Sequence, residues 1–281
     1  MTAPEIFDRR LVRVRRERAA AGFADYSFLY DEVSARLLER LALINRQFPR
    51  ALVLGARTGS LAQQLHGRFG IETLVQADLA SGMLDQADGL RVAADEEWLP
   101  FADASLDLAI SPLSLHTVND LPGALAQIRR ALKPDGLFLG AMFGLGTLAP
   151  LRDAFLAAEA ALGAGASPHI APFTDVRDAG SLLQRAGFAL PVADAEPVTV
   201  TYQNPMRLLA DLRGMGESNV LIGRSRQSLR RGVLLDAVSR LAGQAIPFEI
   251  VFLAGWAPDA AQPQPLAPGS GQVSLTDVFK T

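Results

Sequence analysis

The 281-residue sequence contains no cysteine. This absence excludes disulfides, cysteine-ligated zinc and thiolate-held iron–sulfur clusters, and it suits a reducing compartment. The sequence also lacks an apolar run of the roughly 18 to 20 residues that a membrane-spanning helix needs. Its first thirty residues lack the apolar core of a signal peptide. We therefore predict a cytoplasmic protein that does not span a membrane.

An excess of charge of either sign is also missing. The 27 Lys and Arg residues nearly balance 30 Asp and Glu residues, for a formal net charge of −3. This balance provides no bulk field that would attract nucleic acid or an anionic membrane, so we expect a small molecule or a protein as the partner. Arginines nevertheless crowd the first predicted helix, where they form either a solvated face or a docking surface for an acidic partner: Arg9, Arg10, Arg13, Arg15, Arg16 and Arg18.

After Pro49, short apolar runs alternate with helical patterns, which is typical of a parallel sheet with crossover helices. The predicted fold is therefore α/β, a Rossmann-like sheet with helices on both faces. Its strands are expected at Ala51–Leu54, Thr73–Ala77, Leu90–Ala93, Leu106–Ser111 and Gly136–Met142, with helices at Ser60–Arg68, Ser81–Ala87 and Pro122–Leu132. The turn Lys133–Gly136 ends the last of these helices, with glycine supplying the φ that the turn requires.

The remaining boundaries follow from composition and periodicity. We predict N-terminal helices over residues 1–48, an α/β core over 49–202, a helical cap inserted at 203–246, a closing strand of the core at 247–257 and a flexible tail at 258–281. Further helices are expected at Leu148–Leu162, Asp175–Ala186, Pro205–Leu212 and Gln227–Leu241, and further strands at Val198–Tyr202 and Phe248–Gly255.

The loop after the first strand is the place to look for a ligand, because ligands of open parallel sheets bind beyond the carboxyl ends of the strands. This loop carries Gly55 and Gly59, but Arg57 and Ser60 stand where a dinucleotide fingerprint requires glycine. The two glycines alone are equally consistent with an ordinary tight turn.

Two acidic residues follow the next two strands. Asp78 ends the second strand, where a carboxylate can accept both hydroxyls of a ribose. Asp95 follows the third strand, where a carboxylate can accept a hydrogen bond from an adenine amino group. Either residue alone would be a helix N-cap or a solvated acid. Together, and in this order, they predict an adenosine site.

Four segments resemble the class I methyltransferase superfamily: residues 78–84, Asp95 with the Leu-Pro-Phe at 99–101, residues 106–111 and residues 133–136. Segments 7–10, 114–116, 140–144, 167–170 and 214–219 resemble more narrowly the family of the mitochondrial complex I assembly factor 5 and its bacterial relatives. This resemblance implies a protein that binds S-adenosylmethionine and hydroxylates an arginine on the iron–sulfur subunit near the quinone site of complex I. The cofactor residues that it implies are Gly55, Arg57, Gly59, Asp78, Leu79, Asp95, Glu96 and Ser111.

The sequence departs from the superfamily at two positions. Val53 replaces an acid that would pair with the methionine ammonium of the cofactor, a loss of about 1.5 to 3 kcal/mol in a dry site. Arg57 replaces a glycine; if this position needs positive φ, arginine costs roughly 1 to 2 kcal/mol there, and its side chain points toward the methionine position. We therefore expect either weak cofactor binding or a pairing of Arg57 with a carboxylate of a ligand.

The candidate catalytic residues are Ser114, His116 and Glu217. Ser114 and His116 follow the fourth strand, where His116 is either a general base or a histidine bonded to backbone. Glu217, in the segment Gly214–Asn219, has the chemistry to grip a guanidinium in bidentate fashion, although a solvated loop acid is the alternative.

No metal site is predicted. The sequence has only His66, His116 and His169, none followed two residues later by an acid, so an iron site would require His116, His169 and an acid such as Glu217 to converge. Three functions stay open: an assembly factor of the complex I type, a methyltransferase acting on a small carboxylate, a hydroxyl or a carrier protein, and a non-catalytic scaffold. The departures at Val53 and Arg57 favour the first and third.

Overall fold

The computed structural model describes residues 5–163 and 165–263, which form a seven-stranded sheet of order β3-β2-β1-β4-β5-β7-β6. Strands β1 to β5 are parallel, and β7 runs antiparallel to both β5 and β6. The strands are β1 (Arg50–Leu54), β2 (Thr73–Asp78), β3 (Leu90–Ala93), β4 (Leu106–Pro112), β5 (Leu132–Phe143), β6 (Ala189–Thr201) and β7 (Ala245–Trp256). The strand order reverses between β1 and β4, so this is the switch point at which such sheets bind ligands. The α/β sheet predicted from the sequence is confirmed.

Helices cover both faces of the sheet and bury two separate apolar clusters. They are α1 (Arg9–Ala19), α2 (Phe28–Ala42), α3 (Ser60–Leu65), α4 (Ser81–Leu84), α5 (Leu121–Ala131), α6 (Ala149–Ala161), α7 (Val176–Arg185), α8 (Met206–Gly214) and α9 (Arg231–Arg240). Asp8 begins α1 because its side chain accepts a hydrogen bond from the Leu11 amide, and Asp120 caps α5 in the same way. No helix within the described ranges is long and apolar enough to cross a membrane.

The turn before β5 differs from the prediction. Strand β5 begins at Leu132, directly after α5, and the left-handed residue of the turn is Asp135, with a φ of 60°, rather than Gly136. Asp is one of the non-glycine residues that adopt this conformation most readily, and the Asp135 carboxylate accepts hydrogen bonds from Arg46 and Gln262. Gly136 is needed for space instead, since a Cβ there would collide with the carbonyl of Lys133.

The predicted strand Val198–Tyr202 is also too short, because it covers only the end of β6. Strand β6 spans Ala189–Thr201 at the edge of the sheet, where partly buried and exposed residues alternate along its length. Such an edge strand contains no continuous apolar run for the sequence to show. Helices α3 and α4 are shorter than predicted, and α3 ends at Leu65, so His66 lies just beyond it.

The N-terminal segment and the cap meet above the carboxyl ends of the strands. The Asp8 amide donates to the carbonyl of Val220, and Phe7 forms an antiparallel bridge with Leu221. Helix α9 packs against α6, so the cap also rests on the core. This closure places α1 beside the segments that follow β2, β3 and β4. The predicted tail at 258–281 lies outside the described residues from 264 onward.

Candidate functional site

The loop after β1 approaches the loop after β4 closely enough to require glycine. Gly55 and Gly59 have φ values of 79° and 87°, and a Cβ on Gly55 would collide with the side chain of Ser114. Arg57 adopts a φ of 52°, so this position does need the left-handed conformation, at a cost of roughly 1 to 2 kcal/mol for a non-glycine residue. The condition stated from the sequence, that this position needs positive φ, is therefore met.

Asp78 ends β2 as predicted, and the chain itself occupies its carboxylate. The residue is fully buried; one oxygen accepts a hydrogen bond from the Ala80 amide at 3.0 Å and the other from the Arg57 amide at 3.1 Å. The guanidinium groups of Arg16 and Arg57 lie 3.7 and 3.6 Å from its two oxygens. Asp78 therefore accepts two backbone hydrogen bonds and has two guanidiniums close by.

Arginines of this chain also bind the two acids that follow β3, Asp95 and Glu96. Arg9 donates to Asp95 at 2.6 Å and also to Glu96, which is completely buried. Arg16 donates to Glu96 at 2.9 Å, and the Ser114 hydroxyl donates to the same oxygen. Burial alone would raise the pKa of Glu96, but Arg16 and Arg9 outweigh burial and hold the pKa well below its usual range. Glu96 is therefore ionised and internally paired.

We name these two sets of residues the carboxylate cluster (Asp78, Asp95 and Glu96) and the arginine plug (Arg9, Arg16 and Arg57). Arg9 and Arg16 lie seven positions apart on α1, which places both on one face of that helix. Burial lowers the pKa of Arg57, and the neighbouring Arg16 lowers it further. Three of the plug's nitrogens, Nε of Arg9, Nη2 of Arg16 and Nη1 of Arg57, are buried without a hydrogen-bond partner among the described residues. The plug is thus charge-compensated but incompletely hydrogen-bonded.

A second polar group adjoins the plug. Arg57 donates through Nη2 to Oε1 of Glu217 and to the carbonyl of Leu113, each at 3.0 Å. Nε2 of His116 lies 3.0 Å from Oε2 of the same carboxylate, and the His116 ring packs on Phe143 with centroids 4.4 Å apart. Burial would raise the pKa of Glu217, but His116 and Arg57 lower it to about 2. Glu217 therefore binds a guanidinium, as its chemistry suggested, and the guanidinium belongs to this chain.

The other predicted site residues lie around this centre. Ser111 is buried in β4, and its hydroxyl has no partner among the described residues. Leu79 packs against the small apolar cluster of the N-terminal segment. His169 does not reach His116, because it pairs with Glu159 at 2.8 Å. The described residues include no group of three or more His, Cys, Asp or Glu side chains that could hold a metal ion.

Sequence reasoning missed the plug residues Arg9 and Arg16. The sequence showed an arginine-rich helix, and the i, i+7 spacing of the two residues is visible in it. Nothing in the spacing distinguishes these inward arginines from exposed Arg10 and Arg13 on the same helix. Their burial depends on how α1 is docked by Phe7 and Asp8 onto the cap segment.

An open cavity of about 800 Å³ lies on the cap side of His116 and Glu217. Its apolar lining comes from α6, α8, α9 and the segments around them: Leu148, Leu151, Phe155, Ile170, Phe173, Met206, Leu209, Leu212, Val220, Leu221, Leu229 and Leu234. Arg15, Arg213, Arg224 and Arg226 also line it, whereas no residue of the carboxylate cluster does. The volume is that of a small-molecule site.

Residues 52–140 match the family model described as a methyltransferase domain. The human protein "Arginine-hydroxylase NDUFAF5, mitochondrial" is 41% identical over 98% of this chain and 84% of its own length, and its zebrafish counterpart is 38% identical over 98% and 90%. A malonyl-[acyl-carrier protein] O-methyltransferase of Gallionella capsiferriformans is 33% identical over 90% of this chain and 92% of its own.

Solved structures show the same fold. A Haemonchus contortus phosphoethanolamine N-methyltransferase, solved with S-adenosylhomocysteine, superposes with a TM-score of 0.57 at 17% identity, over 88% of this chain and 60% of its own. The YcgJ protein of Bacillus superposes with a TM-score of 0.56 at 14% identity, over 80% of this chain and 98% of its own. The sheet and its helices are thus those of methyltransferase-fold proteins.

Proposed function

The chain belongs to the arginine-hydroxylase NDUFAF5 family, and we propose from this membership that it hydroxylates an arginine side chain of a protein partner, a subunit of respiratory complex I. The proposed reaction uses dioxygen and an external two-electron reductant: one oxygen atom enters the arginine and the other leaves as water. The similarity that supports the proposal extends over 98% of the chain, so it includes the cap and the segment around Glu217 as well as the sheet.

The observation that carries the proposal is the arrangement of Glu217. Its carboxylate already binds the guanidinium of Arg57 at 3.0 Å, which is the interaction that a target arginine would need. The Glu217 side chain remains 13% exposed and lines the open cavity, so a guanidinium arriving from that side can reach it. His116 fixes the carboxylate from its other oxygen.

We further propose that the chain binds S-adenosylmethionine. The methyltransferase domain match and the fold support this proposal, and the carboxylate cluster has the chemistry to hold a ribose and an adenine amino group. Arg9 and Arg16 hydrogen-bond to Asp95 and Glu96, and the guanidiniums of Arg16 and Arg57 lie 3.7 and 3.6 Å from Asp78, so these arginines would compete with the cofactor for the carboxylate cluster. No chemical step is assigned to the cofactor.

The location predicted from the sequence, cytoplasmic, also remains a proposal. The vertebrate relatives are named mitochondrial, which describes those proteins and their compartment. Fractionation of the host cell, followed by immunodetection of the chain and of complex I subunits, would place the protein relative to its proposed partner.

The proposed function is tested in a host strain that lacks the gene. We expect complex I to lose one oxygen atom from the target arginine, as measured by mass spectrometry of its subunits, and unassembled complex I to accumulate. Wild-type chain should restore the modification and Glu217→Gln should not, whereas Asp236→Asn, which alters an exposed helical ion pair on α9, should restore it fully. An unchanged mass of every complex I arginine peptide in the deletion strain would refute the proposal.

A further inference from the structure

The cap cavity contains a group of arginines with almost no counter-charge. Of its lining residues, four are arginine and one, Glu217, is acidic, and Glu217 already pairs with Arg57 and His116. Arg224 has one carboxylate partner, Asp8, at 3.4 Å. For Arg15, Arg213 and Arg226, no ion pair is found within the described part of the chain.

Arg15, Arg213 and Arg224 line the same cavity, and the charges of the other two act on Arg15. Burial lowers the pKa of Arg15, and Arg18, Arg224 and Arg213 lower it further by repulsion. The Nε–H of Arg15 is buried and has no hydrogen-bond partner among the residues described. Grouped guanidiniums with unused donors are unfavourable unless an anion joins them, because both the repulsion and the unmade hydrogen bond are costs.

The rest of the lining is apolar and belongs to several elements. Leu148, Leu151 and Phe155 come from the start and body of α6, while Met206 and Leu209 come from α8. Such a surface favours a hydrocarbon body, and the cavity volume of about 800 Å³ lies within the range of small-molecule sites. The guanidinium fork matches a carboxylate in geometry and charge.

We propose that this cavity is a binding site for an amphipathic carboxylate, an acyl chain that lies against the apolar lining with its carboxylate held by Arg15 and Arg213. The site is distinct from the carboxylate cluster, but it shares the cavity from which a target arginine would reach Glu217, so the two ligands would compete there. The observations that support it do not depend on the proposed hydroxylation of a protein arginine. It also explains why a cavity that adjoins Glu217 carries cationic rather than acidic side chains.

The test is a calorimetric titration of the full chain with decanoate, decanol and decylamine, all below their aggregation concentrations. These probes share one chain and differ in head-group charge. We expect decanoate to bind at least about tenfold more tightly than decanol, and decylamine to bind most weakly. Equal affinity for the three probes, or no binding of decanoate, would overturn the proposal.

Substitutions of the two arginines that are proposed to hold the carboxylate test whether decanoate binds in this cavity. Arg213 is exposed, so Arg213→Gln leaves the fold intact and should lower decanoate affinity about fivefold or more without changing decanol affinity. Arg15→Gln should act in the same direction. The matched control is Arg177→Gln on α7, an exposed arginine that does not line the cavity and should leave all three affinities unchanged. Decanoate affinity that is the same in wild type and in both cavity variants would refute the site.

Discussion

Two groups of arginines on either side of Glu217 have opposite surroundings. The arginine plug is buried among acids, with Arg16 only 1% exposed and bonded to Glu96. Arg15, its neighbour in sequence, points into the cap cavity beside further arginines. Helix α1 therefore supplies arginines of two kinds. Arg9 and Arg16 pair with buried acids, whereas Arg15 lines the cavity and has no ion pair among the described residues. The first group holds the carboxylates of the predicted adenosine site, and the second lines the cavity for which we propose an anionic ligand.

The largest expected difference between the two groups is in stability. Arg16→Gln should lower the free energy of unfolding by about 3 to 5 kcal/mol, because it leaves two buried carboxylates without their shared cation. Arg15→Gln should leave stability unchanged or slightly higher, because it relieves repulsion. Urea denaturation of both variants beside wild type measures the difference. Equal losses in the two variants would show that the two groups do not differ in the way described.

Lowering the pH should reduce the free energy of unfolding through protonation of Glu217, which pairs with Arg57 and His116. Its pKa is lowered from 4.5 to about 2 in the folded protein, so the stability it contributes is fully present above pH 4.5. That contribution is lost as the pH falls toward 2 and is on the order of 3 kcal/mol. Glu217→Gln should therefore be less stable than wild type at neutral pH, with the difference shrinking below pH 4.5. A difference that stays constant with pH would contradict the pairing of Glu217 with His116 and Arg57.

The smallest expected change in the free energy of unfolding comes from backbone strain at a residue outside both groups of arginines. Ala104 is exposed and has a φ of 49°, close to that of Arg57. Ala104→Gly should raise the free energy of unfolding by about 0.5 to 1 kcal/mol, because relief of the left-handed conformation exceeds the entropy that glycine adds to the unfolded chain. Thermal unfolding of the variant beside wild type measures this change in stability. A destabilised Ala104→Gly variant would mean that positive φ at a non-glycine residue costs little in this protein.

The sequence predicted those features that depend on local pattern and chain order. Asp78 lies at the end of β2 and Ser114 follows β4 because apolar runs define parallel strands, and the order of strands places their ends together. The left-handed backbone at Arg57 followed from a glycine-type position occupied by arginine. The pairing of Arg9 with Asp95 was not predictable, since it joins residues 86 positions apart through the docking of a helix.

Val53 shows how the structure changes an expectation drawn from sequence. The family pattern suggested that an acid at this position would help to bind a cofactor ammonium. Val53 is fully buried in the apolar cluster beneath α2, so an aspartate there would place a charge among hydrocarbon side chains. Arg57 is therefore the better position for a test, because Arg57→Gly adds no charge to the apolar cluster, whereas Val53→Asp would.

The central claim is that the chain's own arginines hold the carboxylates of the predicted adenosine site, and Arg57→Gly tests it most directly. This variant removes one guanidinium from Asp78 and Glu217 and relieves the backbone at the same residue, while Ala104→Gly provides the same relief elsewhere. Calorimetric titration with S-adenosylmethionine should show weak binding to wild type and to Ala104→Gly. Binding to Arg57→Gly should be about tenfold tighter or more, equivalent to about 1.4 kcal/mol. Equal or weaker binding by an Arg57→Gly variant that remains folded by circular dichroism would contradict the claim.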